Sequence, residues 1–203
     1  MRSKYNYINP EDFARILDAI PSLGIRKWYD SDIIMLFEIL YWLALRPEEG
    51  IYLEKSDFHL DDLQVSLGNT KTRSLDEAQI PPIFLQELTQ YLAKKEDGRL
   101  FPGLTYHPFY MWIKKLGLML KIEAWTMNQK ETHEKTKGHI MRKSMAKDML
   151  FGLHGKEMQN ITYVSGHLRH KKPSTTMDHY LKASGAAVGE AWKRAYENLE
   201  RDS

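Results

Sequence analysis

The amino-acid sequence predicts an α+β domain that is mainly helical and contains a small three-stranded antiparallel sheet. Apolar residues recur at helical spacing both in the first quarter of the chain and after residue 80. Between these regions, three short runs of strand-forming residues are separated by Asp-Asp and Gly-Asn turns. The length of 203 residues and the apolar fraction of 42% suit one globular domain with its own core.

The composition excludes several classes of site. The chain has no cysteine, which removes disulfides, thiolate chemistry and cysteine-based zinc sites. No apolar run approaches the roughly 20 residues that cross a bilayer. Residues 1–12 also lack the apolar segment of a signal peptide. We therefore expect a soluble cytoplasmic protein with no membrane partner.

Two helices are predicted before the sheet. The first begins at Asn9, a capping residue that precedes Pro10 and two acidic residues. The second covers 33–46 and is apolar on nearly every face, so we expect it to lie in the core. We predict that it ends at Arg46, because Pro47 disfavours a helical conformation at the residue before it.

The predicted strands are 51–58, 63–67 and 76–80. Lys71 lies in the polar turn between the second and the third strand, and Arg73 is its nearest competitor for a cationic role there. A lysine in a polar turn is ordinarily a solvated surface residue, so the turn alone assigns it no function.

Two more helices are predicted after the sheet, one opened by Pro81-Pro82 and one covering 108–121. Residues 128–138 contain no apolar side chain and are predicted to form an exposed loop. The residues predicted to face the core from the helix after Pro82 are Ile83, Phe84, Leu88 and Leu92.

The last third of the chain carries four polar groups suited to phosphodiester chemistry. His139 and Arg142 are three residues apart in a helical run and share one helix face. His167 ends a second helical run, and Tyr180 follows a Ser-Thr-Thr segment that can start a helical turn. A guanidinium matches phosphate oxygens with a fork of N–H groups, and a phenol can attack phosphorus to form a covalent intermediate.

The charge is distributed unevenly along the chain. Residues 130–182 hold 11 Lys/Arg against 5 Asp/Glu, whereas the remainder holds 18 against 22. Six of the eight histidines lie in the same basic segment. A basic surface is often no more than solvated, but it is also the electrostatic footprint of a protein that binds a phosphate backbone.

The His139-x-x-Arg142 pair, the Gly166-His167 pair and Tyr180 after a Thr-rich stretch together resemble the signature of the tyrosine recombinase (integrase) family. The resemblance extends over residues 9–182. In that family an apolar helix ends in an arginine with a glutamate three residues on, and a turn of the sheet carries a lysine followed by threonine. Arg46 with Glu49 and Lys71 with Thr72 match these features.

The resemblance implies a site and a mechanism. The catalytic residues would be Arg46, Lys71, His139, Arg142, His167 and Tyr180, with Glu49 as a structural partner of Arg46 rather than an acid catalyst. The arginines would hold the phosphate, with help from His167. Lys71 would protonate the departing 5′ oxygen, His139 would assist proton transfer at the tyrosine, and Tyr180 would become a 3′-phosphotyrosine. The expected partners are double-stranded DNA and other copies of this chain, as a tetramer on DNA, and no cofactor is implied.

The choice of Tyr180 as the nucleophile also depends on excluding other tyrosines of the chain. Tyr163 lies in an apolar run and is expected to be packed, and Tyr41 and Tyr110 lie in apolar helices. Tyr180 alone stands in the order that the family signature requires.

The resemblance divides the chain into a catalytic domain, 1–182, and a C-terminal tail helix, 183–203, that protomers could exchange. His167 and Tyr180 are 13 residues apart, which is longer than usual in the family. The additional stretch, 168–173, is expected to form a DNA-contacting loop.

Other functions remain open from sequence alone. A telomere resolvase or a type IB topoisomerase would use the same residues and differ in which strand is rejoined. A non-catalytic DNA-binding relative would bind without nicking. A histidine-rich metal protein using His167 and His170 is a third class, although the sequence lacks cysteine and clustered acids beside them.

Overall fold

Helices form most of the part of the chain that the structure describes, and a small antiparallel sheet lies between the third and the fourth α-helix. The computed structural model describes residues 7–68, 76–122, 139–152, 158–170 and 172–176. Within these ranges the α-helices are α1 Pro10–Ala19, α2 Asp30–Trp42, α3 Pro47–Ile51, α4 Pro82–Ala93, α5 Tyr106–Leu120, α6 Ile140–Phe151, α7 Ile161–His167 and α8 Pro173–Thr176. Short 3-10 helices cover Ile20–Leu23 and Lys55–Asp57, and the strands are β1 Phe58–His59, β2 Gln64–Leu67 and β3 Asp76–Gln79. The predicted fold class is confirmed.

The first helix begins as predicted. Asn9 caps α1, and its side-chain Oδ1 accepts a hydrogen bond of 2.7 Å from the backbone N–H of Asp12. Phe13 and Ile16 then face the core. The backbone N–H of Ile8 donates to the Ser144 hydroxyl at 2.8 Å, so the start of the described chain is attached to α6.

The second helix is buried as predicted, but it ends four residues earlier than expected. Its last residue is Trp42, and Ala44 adopts a positive φ of 47° that turns the chain. Arg46 is therefore extended and precedes α3 instead of ending α2. The prediction failed because proline fixes only the latest possible end of a helix, whereas the buried Leu43 and Leu45 allow an earlier turn.

The third helix packs closely on the second at Gly50. A Cβ atom at this position would lie 2.6 Å from Cδ2 of Leu40, so only glycine fits without a shift of that side chain. This close approach fixes α3, and with it the residues at its start, against the core.

The sheet has the order β1-β2-β3, and both pairs of strands are antiparallel. Val65 of β2 lies opposite Ala78 of β3, and both are buried on the core face. The predicted first strand, 51–58, is wrong for most of its length, because Ile51 still belongs to α3 and a 3-10 helix precedes Phe58.

The helices after the sheet agree closely with their predicted positions. Phe84, Leu88 and Leu92 of α4 are buried, but Ile83 is 64% exposed, which contradicts its predicted core position. It lies in the first turn of α4, where the helix has just left the sheet. From α5, Phe109 and Trp112 pack into the core.

The last large core contact is made by α6 against α2. Met141, Met145 and Met149 of α6 are buried, and the Tyr41 hydroxyl of α2 donates to Asp148 Oδ2. Within the described ranges, no helix is long and apolar enough to cross a membrane. The predictions for Lys71, the loop 128–138, Tyr180 and the tail 183–203 concern residues outside those ranges.

Candidate active site

Arg46 projects from the start of α3, where it is held by Glu49 of the same helix. Its Nη1 lies 2.5 Å from Glu49 Oε1, and its backbone N–H donates to Glu49 Oε2 at 2.7 Å. The Arg46 side chain is 48% exposed, so solvent and a ligand can reach it. The expected pairing of Arg46 with Glu49 is present in the structure.

Arg142 hydrogen-bonds to two chain segments that carry other predicted site residues. It lies in the first turn of α6, is buried, and donates from Nη1 to the carbonyl oxygen of Ala44 at 2.6 Å. Its Nη2 donates to the carbonyl oxygen of Leu168. Ala44 comes two residues before Arg46, and Leu168 comes directly after His167. The single guanidinium therefore brings the chain segments of two other predicted site residues, Arg46 and His167, together with its own, which also carries His139.

His139 directly precedes α6 and lies in the field of both arginines. Burial lowers its pKa below the usual value, and the positive charges of Arg142 and then Arg46 lower it further, against the opposing effect of Glu49 and Glu48. This burial is partial, because the residue still keeps part of its surface open to solvent. At neutral pH the imidazole is therefore neutral and able to accept a proton.

His167 ends α7, as predicted. Asn160 caps the start of the helix, and its Oδ1 accepts a hydrogen bond of 2.9 Å from the backbone N–H of Tyr163. Leu168, the residue after the helix, is fully buried, and its contact with the core fixes the position at which α7 stops. His167 is half-buried at this end of the helix.

Arg169 belongs to the site but was not predicted as a site residue. Its side chain is 4% exposed, its Nη2 lies 2.7 Å from Glu49 Oε2, and its Nε lies 3.1 Å from Asp76 Oδ2. The backbone of Arg169 has a positive φ of 54°. The segment 168–173 was expected to form a DNA-contacting loop, but Leu168 and the side chain of Arg169 are buried in the domain.

The next residue of this segment, His170, is also engaged in the fold. Its Nδ1 is 2.8 Å from the Thr176 hydroxyl of α8. A sequence signal for a structured segment was present in the apolar Leu168, which a solvated loop would not favour. Nothing in the sequence indicated the carboxylates that Arg169 contacts.

The exposed Arg46 and the buried Arg169 share the carboxylate of Glu49. Burial raises its pKa, but the charge of Arg169 and the hydrogen bonds and charge of Arg46 outweigh this and leave the pKa below its usual value. Glu49 is therefore ionised at neutral pH and cannot act there as a proton donor. This agrees with its expected role as a structural partner.

The structure thus brings four of the six predicted site residues together: Arg46, His139, Arg142 and His167. Lys71 and Tyr180 lie outside the described residues. Tyr163, expected to be packed, is 60% exposed because it lies in the first turn of α7 with its side chain towards solvent. Among the residues that the structure describes, no group of three or more His, Cys, Asp or Glu could hold a metal ion.

Comparison with solved structures shows where this architecture occurs. The catalytic domain of bacteriophage HP1 integrase superposes with a TM-score of 0.61 at 19% identity, over 92% of this chain and 93% of that one. XerA recombinase gives a TM-score of 0.67 at 18% identity, over 93% of this chain and 64% of that one. The Tn1549 transposon integrase, solved with circular intermediate DNA, gives 0.62 at 14% identity, over 96% and 68%.

No family model matches the sequence, and no curated protein matches it either. The likeness at 14–19% identity establishes the fold, and the chain has the fold of a tyrosine recombinase catalytic domain. It spans somewhat under two thirds of the XerA chain.

Proposed function

We propose that this chain is the catalytic domain of a site-specific DNA recombinase or integrase that cuts and rejoins strands through a 3′-phosphotyrosyl intermediate. The observation that carries the proposal is the pair of hydrogen bonds from Arg142 to the carbonyls of Ala44 and Leu168. These bonds gather two arginines and two histidines, which the sequence spreads over more than 120 residues, at one place.

The proposed reaction is an in-line displacement at phosphorus. The Tyr180 oxygen forms a bond to phosphorus while the bond to the 5′ oxygen breaks. The phenol proton passes to His139, and Lys71 gives a proton to the departing 5′ oxygen. Phenol has a pKa of about 10, so it needs a nearby acceptor and surrounding positive charge to react at neutral pH.

Arg46 and Arg142 stabilise the extra negative charge on the non-bridging oxygens, and His167 assists them. Fixed cations aimed at developing charge are among the largest contributions to such catalysis. The bond energy is retained in the phosphotyrosine, so a 5′-hydroxyl from another strand can reverse the reaction and reseal the DNA. The side chains of the site supply the charge and the protons, and no cofactor enters this proposal.

The proposed partners are double-stranded DNA and further copies of the chain. The basic segment 130–182 and the occurrence of the fold in an integrase solved with DNA support the first. We further propose that residues 1–182 form the catalytic domain and that four copies assemble on DNA, with the tail 183–203 exchanged between neighbours. The Trp192 and Tyr196 side chains would anchor that tail, since they are four residues apart.

The test must identify the DNA target sequence and the covalent protein–DNA intermediate in the same experiment. A pool of randomised duplexes, each nicked near its centre, is incubated with the protein. Cleavage near the nick releases a short 5′-hydroxyl fragment that diffuses away and leaves the protein attached to DNA. Attached DNA is recovered after SDS treatment, amplified and selected again. We expect one sequence to be enriched and to carry the protein at its 3′ end.

Two matched variants assign the nucleophile. Tyr180→Phe should bind the selected DNA as the wild-type protein does and form no SDS-stable adduct, because it lacks only the attacking oxygen. Tyr163→Phe removes the hydroxyl of an exposed tyrosine in α7 and should leave adduct formation unchanged. Adduct formation by Tyr180→Phe would overturn the assignment. Sequence-specific binding without any adduct would instead identify a non-catalytic relative.

The products distinguish the related strand transferases. Joining to a strand from a second duplex identifies a recombinase. Relaxation of supercoils by resealing of the same strand identifies a type IB topoisomerase, and joining to the opposite strand as a hairpin identifies a telomere resolvase. The proposal predicts the first result.

A further inference from the structure

The side chain of Arg169 joins three elements of the candidate site. It leaves the backbone just after α7, reaches Glu49 on α3, and reaches Asp76 at the start of β3. We propose that Arg169 is a positioning residue that fixes Arg46 through Glu49, and that it keeps the charge of Arg46 available for a phosphate. The part of this inference that concerns catalysis rests on the proposed function.

The two oxygens of Glu49 divide the contacts between the arginines. Oε1 contacts Nη1 of Arg46, and Oε2 accepts from the backbone N–H of Arg46 and from Nη2 of Arg169. The last torsion of a glutamate is soft, so a carboxylate held at one point can rotate. With Oε2 held by both Arg169 and the backbone N–H of Arg46, the direction of Oε1 is set. The position of the Arg46 guanidinium is then set as well.

Arg169 can serve as a fixed point because it is itself anchored. Its side chain is 4% exposed, and its Nε is held by Asp76 at 3.1 Å. The residue before it, Leu168, is fully buried, and its carbonyl oxygen accepts a hydrogen bond from Arg142. Charge-assisted hydrogen bonds of this kind are strong when solvent is excluded. The same short segment therefore holds both arginines of the proposed phosphate clamp.

Arg169 also changes the electrostatics of Arg46. A carboxylate paired with Arg46 alone would neutralise the charge that the phosphate needs. Here Glu49 is shared, and the buried Arg169 offsets much of its negative charge. Asp76 contacts Nε of Arg169 and is 35% exposed, so solvent screens its effect on Arg46.

The first test measures position without any DNA. The order parameter of the Arg46 Nε–H group is measured by NMR in the wild-type protein, in Arg169→Gln and in Arg169→Lys. We expect it to fall in Arg169→Gln, and to fall less in Arg169→Lys, which keeps the charge but cannot contact both carboxylates in a fork. Arg15→Gln is the matched control, because Arg15 forms an exposed ion pair with Asp12 in α1. Unchanged order of Arg46 in Arg169→Gln would overturn the inference.

The second test measures whether Arg169 acts through Glu49. Single-turnover cleavage of the selected nicked duplex is compared in Arg169→Gln, Glu49→Gln and the double variant. Loss of an orienting partner costs about tenfold to a hundredfold, and we expect this for Arg169→Gln with DNA affinity retained. In the Glu49→Gln background, Arg169→Gln should have little further effect. Independent, multiplicative losses would show a general structural role and overturn the inference.

Two further measurements separate a failure of this inference from a variant that does not fold and from a failure of the proposed function. If Arg169→Gln does not fold, Asp76→Asn replaces it, because this change removes one anchor of Arg169 and leaves both arginines in place. It should lower the order of Arg46 and slow cleavage, and no change in either would overturn the inference. If the wild-type protein forms no adduct, the proposed function fails, whereas the NMR result still decides whether Arg169 positions Arg46.

Discussion

Arg46 and Arg142 are proposed to hold the same phosphate, yet the structure holds their guanidinium groups in opposite surroundings. Arg142 is 4% exposed and donates to the backbone carbonyls of Ala44 and Leu168. The Arg46 side chain is 48% exposed and pairs with the carboxylate of Glu49. One arginine is held by neutral oxygens inside the domain, and the other by a charged group at its surface.

The difference shows how one site can hold two cations by different means, one through the backbone and one through side chains. Carbonyl oxygens leave the full charge of Arg142 in place, and a buried charge acts more strongly than an exposed one. Because those carbonyls belong to the turn after α2 and the end of α7, Arg142 is also part of the fold. Arg46 pairs with the carboxylate of Glu49, which Arg169 also holds, so its position depends on side chains rather than on backbone carbonyls.

The comparison predicts its largest effect for Arg142→Ala. The change leaves the carbonyls of Ala44 and Leu168 without these donors, and each buried group left without a partner costs about 1–3 kcal/mol. We expect the free energy of unfolding in urea to fall by about 3 kcal/mol or more. A loss below about 1 kcal/mol would contradict the view that Arg142 joins two parts of the fold.

A third ionisable group, Glu38, shows what happens when a buried carboxyl faces a second carboxyl instead of a cation. Glu38 of α2 faces Glu87 of α4. Burial raises its pKa from 4.5 to about 8, and the charge and hydrogen bond of Glu87 contribute. The folded protein keeps the Glu38 proton over a range in which the unfolded chain releases it. Stability therefore falls as the pH rises from about 4.5 to about 8 and is level above that.

Glu38→Gln should remove this dependence. The amide keeps the shape without a titrating proton, so at pH 8 the variant should be more stable than the wild-type protein by about 2–4 kcal/mol. The two should converge near pH 4.5, as measured by urea denaturation across the range. Glu87→Gln is the matched variant and should relieve part of the same penalty. Parallel pH profiles for all three proteins would refute this account.

Arg46→Ala should have a small effect on stability and a large one on cleavage. Exposed ion pairs contribute about 0–1 kcal/mol, and Glu49 keeps its contact with Arg169 in the variant. We expect less than about 1 kcal/mol lost in urea denaturation. Cleavage of the selected duplex should slow by about a hundredfold or more. Arg142→Ala provides the contrast in stability, and equal stability losses would remove the distinction between the two arginines.

The sequence predicted the elements more reliably than the contacts between them. The cap at Asn9, the buried second helix and the sheet follow from local patterns, and the structure has them. The end of α2 was missed because the positive φ of Ala44 results from packing, and no local pattern favours an alanine there. Ile83 was placed in the core because an apolar residue in a helical run has no local mark of exposure.

The candidate site shows even more clearly that contacts between distant residues are harder to predict from sequence than local elements. Arg46, His139, Arg142 and His167 could be named because their order and spacing match a known signature. Arg169 could not be named, because its role depends on Glu49 and Asp76, which are 120 and 93 residues away along the chain. A charge in a basic segment is predicted to be solvated unless the opposite charges that fold against it are known.

The smallest predicted effect lies at His139, which senses both arginines. After burial, the charges of Arg142 and then Arg46 hold its pKa below the usual value. Arg46→Gln removes one of these charges without changing the first turn of α6, so the pKa of His139 should rise. It should stay below the value of an isolated histidine, because burial and Arg142 remain. The measurement is an NMR titration of the imidazole C–H signals, with the His139 signal assigned from its absence in His139→Gln. Arg15→Gln, distant in α1, should leave the pKa unchanged.

Because the proposed reaction uses neutral His139 as a proton acceptor, the acidic limb of the pH–rate profile should shift to higher pH in Arg46→Gln by the same amount. An unchanged pKa would mean that Arg46 does not share the electrostatic field of the site with Arg142.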